Sequence, residues 1–456
     1  MKVGISGTNL SGDIKAIPSK SDLHRSLICA ALADGESLLS FGCDDTLENG
    51  SDLSVLLSDD IYATINCLKA LGADISIDGM TIKISSIARA EKKERIHLDC
   101  GESGSTLRFI LPVAAALGQE FTITGHGRLP DRPIKPLLTQ MRAHGCIIDD
   151  DKLPLSVRGK LTSGKYEIPG DISSQFISGL LMALPILDGN SKLTVTNQLE
   201  SHDYINMTIN TLMKYTNGVS GFNNTFKIPG NQKFTSMIDN IENDWSNSAF
   251  WLCAGALSPK GITVKRLDTH TVQPDEVIID LLSRIGADIK FIYSDADSKR
   301  RITCGSHLSI GAKDNNRDIY IRKGELKGTE FDASQAPDLV PIMAVLLSVC
   351  EGSSRIHNAA RLRLKESDRL KAIANNLSII GADIKETEDS LIIHGVKSLS
   401  GGIVSGYGDH RIVMSMAISS VLCENDLIIE GADAVNKSYK SFFEDFKKLG
   451  GNFHVI

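Results

Sequence analysis

Two helical patterns alternate along the chain. The first is amphipathic, ends in glycine and runs on into a strand. Its clearest copy lies in Asn358–Ile384, where Leu370, Ile373, Leu377 and Ile380 recur at helical spacing and Gly381 supplies a left-handed cap. The same helix–glycine–strand tail is predicted over Asp60–Ile75, Ile134–Ile148, Tyr204–Val219, Asp275–Ile289, Ser367–Ile384 and Ser441–Phe453. The marker glycines are Gly72, Gly145, Gly218, Gly286, Gly381 and Gly450, about 70 residues apart with one gap of about 95.

The second pattern is a helix of small apolar residues that opens on Ser, Thr, Asp or Gly. It is predicted over Ser19–Leu32, Gly104–Leu117, Ser173–Leu184, Asp244–Leu257, Asp338–Leu347 and Asp409–Val421. These segments are apolar nearly all round, so they belong inside the protein, and their polar starts read as N-caps. Short alternating strands such as Ile82–Ile84, Leu193–Val195 and Leu391–Ile393 lie between the helices. The repeating unit is therefore about βαβαββ, six times over, which places the chain in the α/β class. Three units can close around their own buried helices as an inside-out α/β barrel, so six make two domains. The expected division is 22–242 for one domain and 1–21 plus 243–456 for the other, with hinges near 18–21 and 241–244. The strand-like extreme N-terminus is free to complete the sixth unit.

Composition narrows the class of protein. Of 456 residues, 42% are hydrophobic and 23% charged, which suits a globular chain with room for two cores. No apolar run approaches the roughly 20 residues that span a bilayer, and Met1–Ile5 reads as a strand and not as a signal peptide. The nine cysteines are scattered singly with no metal-ligating spacing, which points to reduced thiols in the cytoplasm and to no metal. A net charge of −7 argues against a nucleic-acid partner. It leaves open a local anion site, because a few cations in a cleft dominate the field there.

Candidate chemistry sits at the starts of the buried helices. A helix N-terminus carries unpaired amides and about half a positive charge. The residues there are Lys20 and Ser21; Gly104 and Ser105; Ser173, Ser174 and Gln175; and Asp409, His410 and Arg411. Arg25, Arg108, Arg128, Lys365, Arg369 and Lys437 lie in adjoining segments. Guanidinium groups, hydroxyls and helix amides converging on one gap would hold small molecules with several negative charges. By local context alone, Asp244 reads as an N-cap, Asp368 as a structural partner, and His410 as a histidine satisfied in the interior or standing just behind the site.

The segments PSKSDLHR, GESGSTLRF, GRLPDRPIKP, SSQF, FDASQAPD, RLKESDR, YGDHR and NKSYKSFF, in this order along the whole chain, resemble the 3-phosphoshikimate 1-carboxyvinyltransferase family. That resemblance implies the two-domain enolpyruvyl transferase fold. It also implies transfer of the enolpyruvyl group of phosphoenolpyruvate to the 5-hydroxyl of shikimate 3-phosphate, with release of phosphate. No cofactor is implied, and the expected partners are these two anions, acting on a monomer. By resemblance, shikimate 3-phosphate would be held by Lys20, Ser21, Arg25, Ser173, Ser174, Gln175, Ser201 and Tyr204, with Asp338 and Lys365 at the reacting hydroxyl. Phosphoenolpyruvate would be held by Lys20, Gly104, Arg128, Gln175, Arg369, Arg411 and Lys437. The implied catalytic set is Asp338, Glu366, Lys20 and Lys365, with Glu366 protonating the methylene carbon.

Three features depart from the family pattern. Glu102-Ser103 replaces the usual Asn-Ala or Asn-Ser, Phe109 stands where Pro or Leu is common, and Cys43–Leu57 reads as an insertion. The family is the target of glyphosate, and the first two departures flank the loop that would meet it. The sister enzyme acting on UDP-N-acetylglucosamine usually carries a cysteine in a mobile loop, and Gly125–Pro133 has none.

Overall fold

A computed structural model describes residues 1–7, 9–41, 53–87, 96–222, 224–292 and 316–456. Six helices of the second pattern are present. They are α1 (Lys20–Leu32), α2 (Gly104–Ala116), α3 (Ser174–Ala183), α4 (Trp245–Leu257), α5 (Val340–Leu347) and α6 (His410–Ser419). Ser19, Ser103, Ser173, Asp244 and Asp409 cap five of them, each side chain accepting a backbone amide of the first turn. The fifth starts later than the pattern predicts. Pro337–Leu339 forms a 3-10 turn carrying Asp338, and the α-helix begins only at Val340. Pro341 then falls in the first turn, where the missing amide costs no helical bond.

The amphipathic helices run Asp59–Ala70, Lys135–Ala143, His202–Tyr215, Ile278–Ile285, Arg369–Ile379 and Phe442–Lys448. All six marker glycines have positive φ, between 74° at Gly218 and 111° at Gly72. The chain must turn left-handed there to leave the helix, and a Cβ disfavours that turn.

The described strands form six four-stranded sheets of one topology and one two-stranded sheet, Ala33–Asp34 with Phe234–Thr235. In the sheet around α2, Ile96–Asp99 lies parallel to Phe121–Thr124, which is antiparallel to Leu155–Gly159, itself antiparallel to Cys146–Ile148. Each four-stranded sheet thus repeats one parallel and two antiparallel pairings. Three sheets recruit distant strands. Lys2–Ile5 lies between Leu427–Glu430 and Phe453–Val455, Gly12–Lys15 pairs with Ile262–Asp268, and Ile238–Asn240 pairs with Glu36–Ser40.

Two separate hydrophobic cores result. One is built from residues between Leu23 and Ile241. The other is built from Val3–Ile17 and from Trp245–Leu449. The chain passes between them twice, and the two passages lie side by side. Ser19 N–H donates to the Glu242 carbonyl at 2.8 Å and Asp244 N–H to the Ile17 carbonyl at 2.8 Å. Within the first core α2 and α3 pack at backbone contact: a methyl on Gly179 would sit 2.1 Å from the Arg108 carbonyl oxygen. Pro112, four residues on, has no amide to offer that carbonyl. This contact fixes Arg108, one turn into α2.

The seven described cysteines are free. No helix of the described residues is long and apolar enough to cross a membrane, and no cluster of their His, Cys, Asp and Glu side chains could hold a metal ion. Most of the Cys43–Leu57 insertion lies outside the described residues; its end is a short helix, Leu53–Leu56.

Candidate active site

Between the two cores lies a hollow, partly open to solvent. The starts of α1, α2, α3 and α6 reach it through Lys20 and Ser21, Gly104 and Ser105, Ser173 to Gln175, and His410 and Arg411. Arg25, Ser201, Tyr204, Asp338, Lys365, Glu366 and Arg369 also line it. All but two of the residues that the resemblance assigns to the substrates therefore face one space, drawn from both cores.

The exceptions are Arg128 and Lys437. Arg128 precedes the 3-10 turn Leu129–Asp131 and is exposed, away from the hollow. Arg132, which follows that turn, lines the hollow instead; it is buried and donates from Nη1 to Glu366 Oε1 at 3.2 Å. Pro130 lies within the turn and Pro133 directly follows Arg132. Lys437 stands just outside the lining: its carbonyl lies 3.5 Å from Lys20 Nζ, and its ammonium reaches Glu102 Oε2 and the Gly408 carbonyl, both at 2.7 Å.

The second core's wall is a lattice of ion pairs centred on Arg369, which is 1% exposed. Its guanidinium meets Asp338 Oδ1 at 2.8 Å, Glu366 Oε2 at 2.6 Å and Asp409 Oδ2 at 2.8 Å. Asp409 thereby caps α6 and anchors Arg369 at once. Asp338 also meets Arg411 at 3.2 Å and Lys365 at 3.4 Å. Burial pushes the Asp338 carboxyl up, but Arg411, Lys365 and Arg369 outweigh it and hold the group well below the usual carboxylate range. Glu366 behaves alike: burial pushes it up, but Arg132, Arg369 and Lys365 outweigh burial and hold it well below the usual carboxylate range. Burial lowers the Lys365 ammonium, with Asp338 opposing.

Tyr204 crosses from the first core. Its hydroxyl is 3.3 Å from Asp275 Oδ2 and 3.5 Å from Asp338 Oδ2. The two acids part ways: burial first, then the Asp338 charge, raises Asp275 to about 6.

On the first core's wall Arg25 and Arg108 are held in place by neutral groups. Arg25 donates to Thr208 Oγ1 at 2.8 Å and to the carbonyls of Ser21 and Tyr204, and its guanidinium lies 5.2 Å from the centre of the Phe109 ring. The unusual Phe109 is thus the platform for Arg25. Arg108 donates to the Gln175 amide oxygen and to the Gly104 and Pro133 carbonyls, and Gln175 donates on to Ser105 Oγ at 2.8 Å. Lys20 is paired with Asp60, at 2.8 Å.

Several lining residues have no counterpart in the expectation from sequence. Asp60 starts the first amphipathic helix and looks there like a dipole-favoured carboxylate. Arg361 donates to Ser201 Oγ at 3.0 Å and pairs with Glu200, tying the second core to the first. Its signal is the crowding of charge between Arg361 and Arg369. Asp244 is an N-cap, accepting from Asn247 at 2.7 Å, and it also receives the Lys20 amide at 3.0 Å. Asp368 pairs with Arg363 at 2.9 Å. His410 differs from the expectation of a satisfied histidine: it lines the hollow, its Nδ1 has no hydrogen-bond partner among the described residues, and burial with Lys20, Arg411 and Arg369 nearby keeps it neutral.

The family model for EPSP synthase (3-phosphoshikimate 1-carboxyvinyltransferase) matches residues 5–446. A 3-phosphoshikimate 1-carboxyvinyltransferase of Clostridium kluyveri is 43% identical over 453 residues, covering 98% of this chain and 97% of its own. One from Clostridium novyi is 42% identical over 458 residues, covering 97% and 96%. The fold is shared with the EPSP synthase of Acinetobacter baumannii, at TM-score 0.77 and 22% identity over the full length of both chains. It is shared too with the enolpyruvyl transferase NikO from Streptomyces tendae, at TM-score 0.73 and 16% identity over 99% and 98%. With a match along nearly its whole length and relatives above 40% identity, the chain belongs to the EPSP synthase family.

Proposed function

We propose that this protein transfers the enolpyruvyl group of phosphoenolpyruvate to the 5-hydroxyl of shikimate 3-phosphate and releases phosphate, by addition and then elimination through a tetrahedral intermediate. The observation that carries the reading is the pair Asp338 and Glu366, two carboxylates held ionised by a shared arginine at the floor of an anion-lined hollow.

Addition needs a proton taken from the 5-hydroxyl and one delivered to C3 of phosphoenolpyruvate, while the oxygen bonds to C2. Elimination takes the C3 proton back and expels phosphate. Asp338 with Lys365 serves the hydroxyl, and Glu366 serves the methylene carbon. The bound anions draw Arg132 and Arg369 toward themselves and add negative charge beside Glu366. Both effects raise its pKa and turn it into an acid. Lys20, Arg132, Arg369, Arg411 and Lys437 offset the charge that grows on departing phosphate. Arg132 takes the place that Arg128 does not reach. Ser173, Ser174, Ser201, Gln175 and Tyr204, with Ser21 and Arg25, seat the phosphorylated ring.

The domains 22–242 and 1–21 plus 243–456 close on the phosphorylated acceptor about the paired passages near 18–21 and 241–244. The protein acts as a cytoplasmic monomer without a cofactor. A coupled phosphate-release assay with phosphoenolpyruvate and each candidate acceptor tests the reaction. Release with shikimate 3-phosphate and none with UDP-N-acetylglucosamine is expected; the reverse would refute the assignment.

A further inference from the structure

Glu102 lies two residues before Gly104 in the loop that opens α2. Its partner lies on the other core, 335 residues away: Glu102 Oε2 sits 2.7 Å from Lys437 Nζ. The pair is partly shielded, with side-chain exposures of 29% and 16%. The loop is shaped around the carboxylate. Gly127, at φ 59°, lies directly against it, and a methyl there would come within 2.1 Å of Oε2. Lys437 does not depend on Glu102 for its position, because the Gly408 carbonyl holds the same ammonium at 2.7 Å.

We propose that Glu102 is a specificity-determining residue that sets the affinity for phosphoenolpyruvate by occupying Lys437 with a carboxylate of the protein's own. This rests on the reading of Lys437 as part of the phosphoenolpyruvate clamp. To use that ammonium, the substrate anion has to displace Glu102 and then sit beside its negative charge. Both raise the concentration at which the substrate binds. Shikimate 3-phosphate, seated by Ser173, Ser174 and Ser201, is not exposed to the same competition. Removing the charge does not release the two cores from one another, since Arg132–Glu366, Arg361–Ser201 and Lys440–Asp59 also join them.

Steady-state kinetics of Glu102→Gln test the proposal. The substitution keeps the size and an acceptor oxygen but removes the charge. KM for phosphoenolpyruvate is expected to fall by about twofold to fivefold, the upper range for a partly exposed ion pair, while kcat and KM for shikimate 3-phosphate stay unchanged. In a Lys437→Met background the same change should give no gain, which a general loosening of the fold would not reproduce. An unchanged or raised KM for phosphoenolpyruvate in Glu102→Gln, or an equal fall in both KM values, overturns the proposal. Lys437→Met with an unaltered KM removes Lys437 from the clamp, and the proposal with it. Wild-type protein that releases no phosphate with shikimate 3-phosphate refutes the functional reading itself, a different result from either.

Discussion

The hollow has two unlike walls. On the first core's side stand helix starts with short side chains, Ser21, Gly104, Ser105, Ser173 and Ser174, and arginines tied to neutral oxygens and an aromatic ring. On the second core's side stands an ion-pair lattice in which Arg369 touches three carboxylates. Helix amides and hydroxyls recognise an anion without changing protonation, so the first wall suits seating and shape. Opposed buried charges shift one another's proton affinity, so the second wall suits proton transfer. One fold, repeated six times, supplies a binding face and a reacting face by varying the first residues after each helix cap.

The largest way to break this contrast is to neutralise the second wall's acid. Glu366→Gln is expected to lower kcat by about 10²- to 10⁴-fold, with both KM values changed little, in the phosphate-release assay. Retained turnover would move the acid elsewhere.

Removing the hub should cost stability as well as rate. Arg369→Met leaves Asp338, Glu366 and the fully buried Asp409 without their common cation, and is expected to destabilise the protein by about 3–5 kcal/mol in denaturant titrations. The sign with pH comes from the same charges. The intact lattice holds Asp338 and Glu366 well below the usual carboxylate range; without Arg369 their folded-state pKa values rise, so the loss should be smallest at low pH, where both are protonated, and deepen as pH climbs through about 4. A loss that is independent of pH would mean the acids find other partners.

The first wall should respond to shape and not to charge. A methyl on Gly104 would lie 2.5 Å from Arg108 Nη1 and 2.7 Å from Arg132 Nη1, so at least one guanidinium must shift. Gly104→Ala is therefore expected to weaken glyphosate, the bulkier ligand, by more than about tenfold while KM for phosphoenolpyruvate rises only a few fold. Equal losses for both would show that the first wall does not discriminate by space.

Much of this architecture is legible in the sequence, because the deciding interactions are local. The capping residues Ser19, Ser103, Ser173, Asp244 and Asp409 each bond an amide within three residues, and each marker glycine lies within three residues of the end of its helix. Apolar periodicity separates the buried helices from the amphipathic ones without reference to any partner. The gathering of helix starts is implied only in part: four of the six, those of α1, α2, α3 and α6, reach the hollow.

The rest required distances that no local rule contains. Arg128 and Arg132 are equally charged and four residues apart; one is exposed and the other buried in the lining of the hollow, on either side of the turn Leu129–Asp131. Arg361 and Asp60 look like ordinary surface charges until the other core faces them. The sequence by itself determined the repeat, the caps and the chemical type of the site. Only the tertiary structure decided which charges meet, because Glu102 and Lys437, far apart in the chain and on separate cores, are brought to 2.7 Å by the packing of the two halves and by nothing either residue encodes alone.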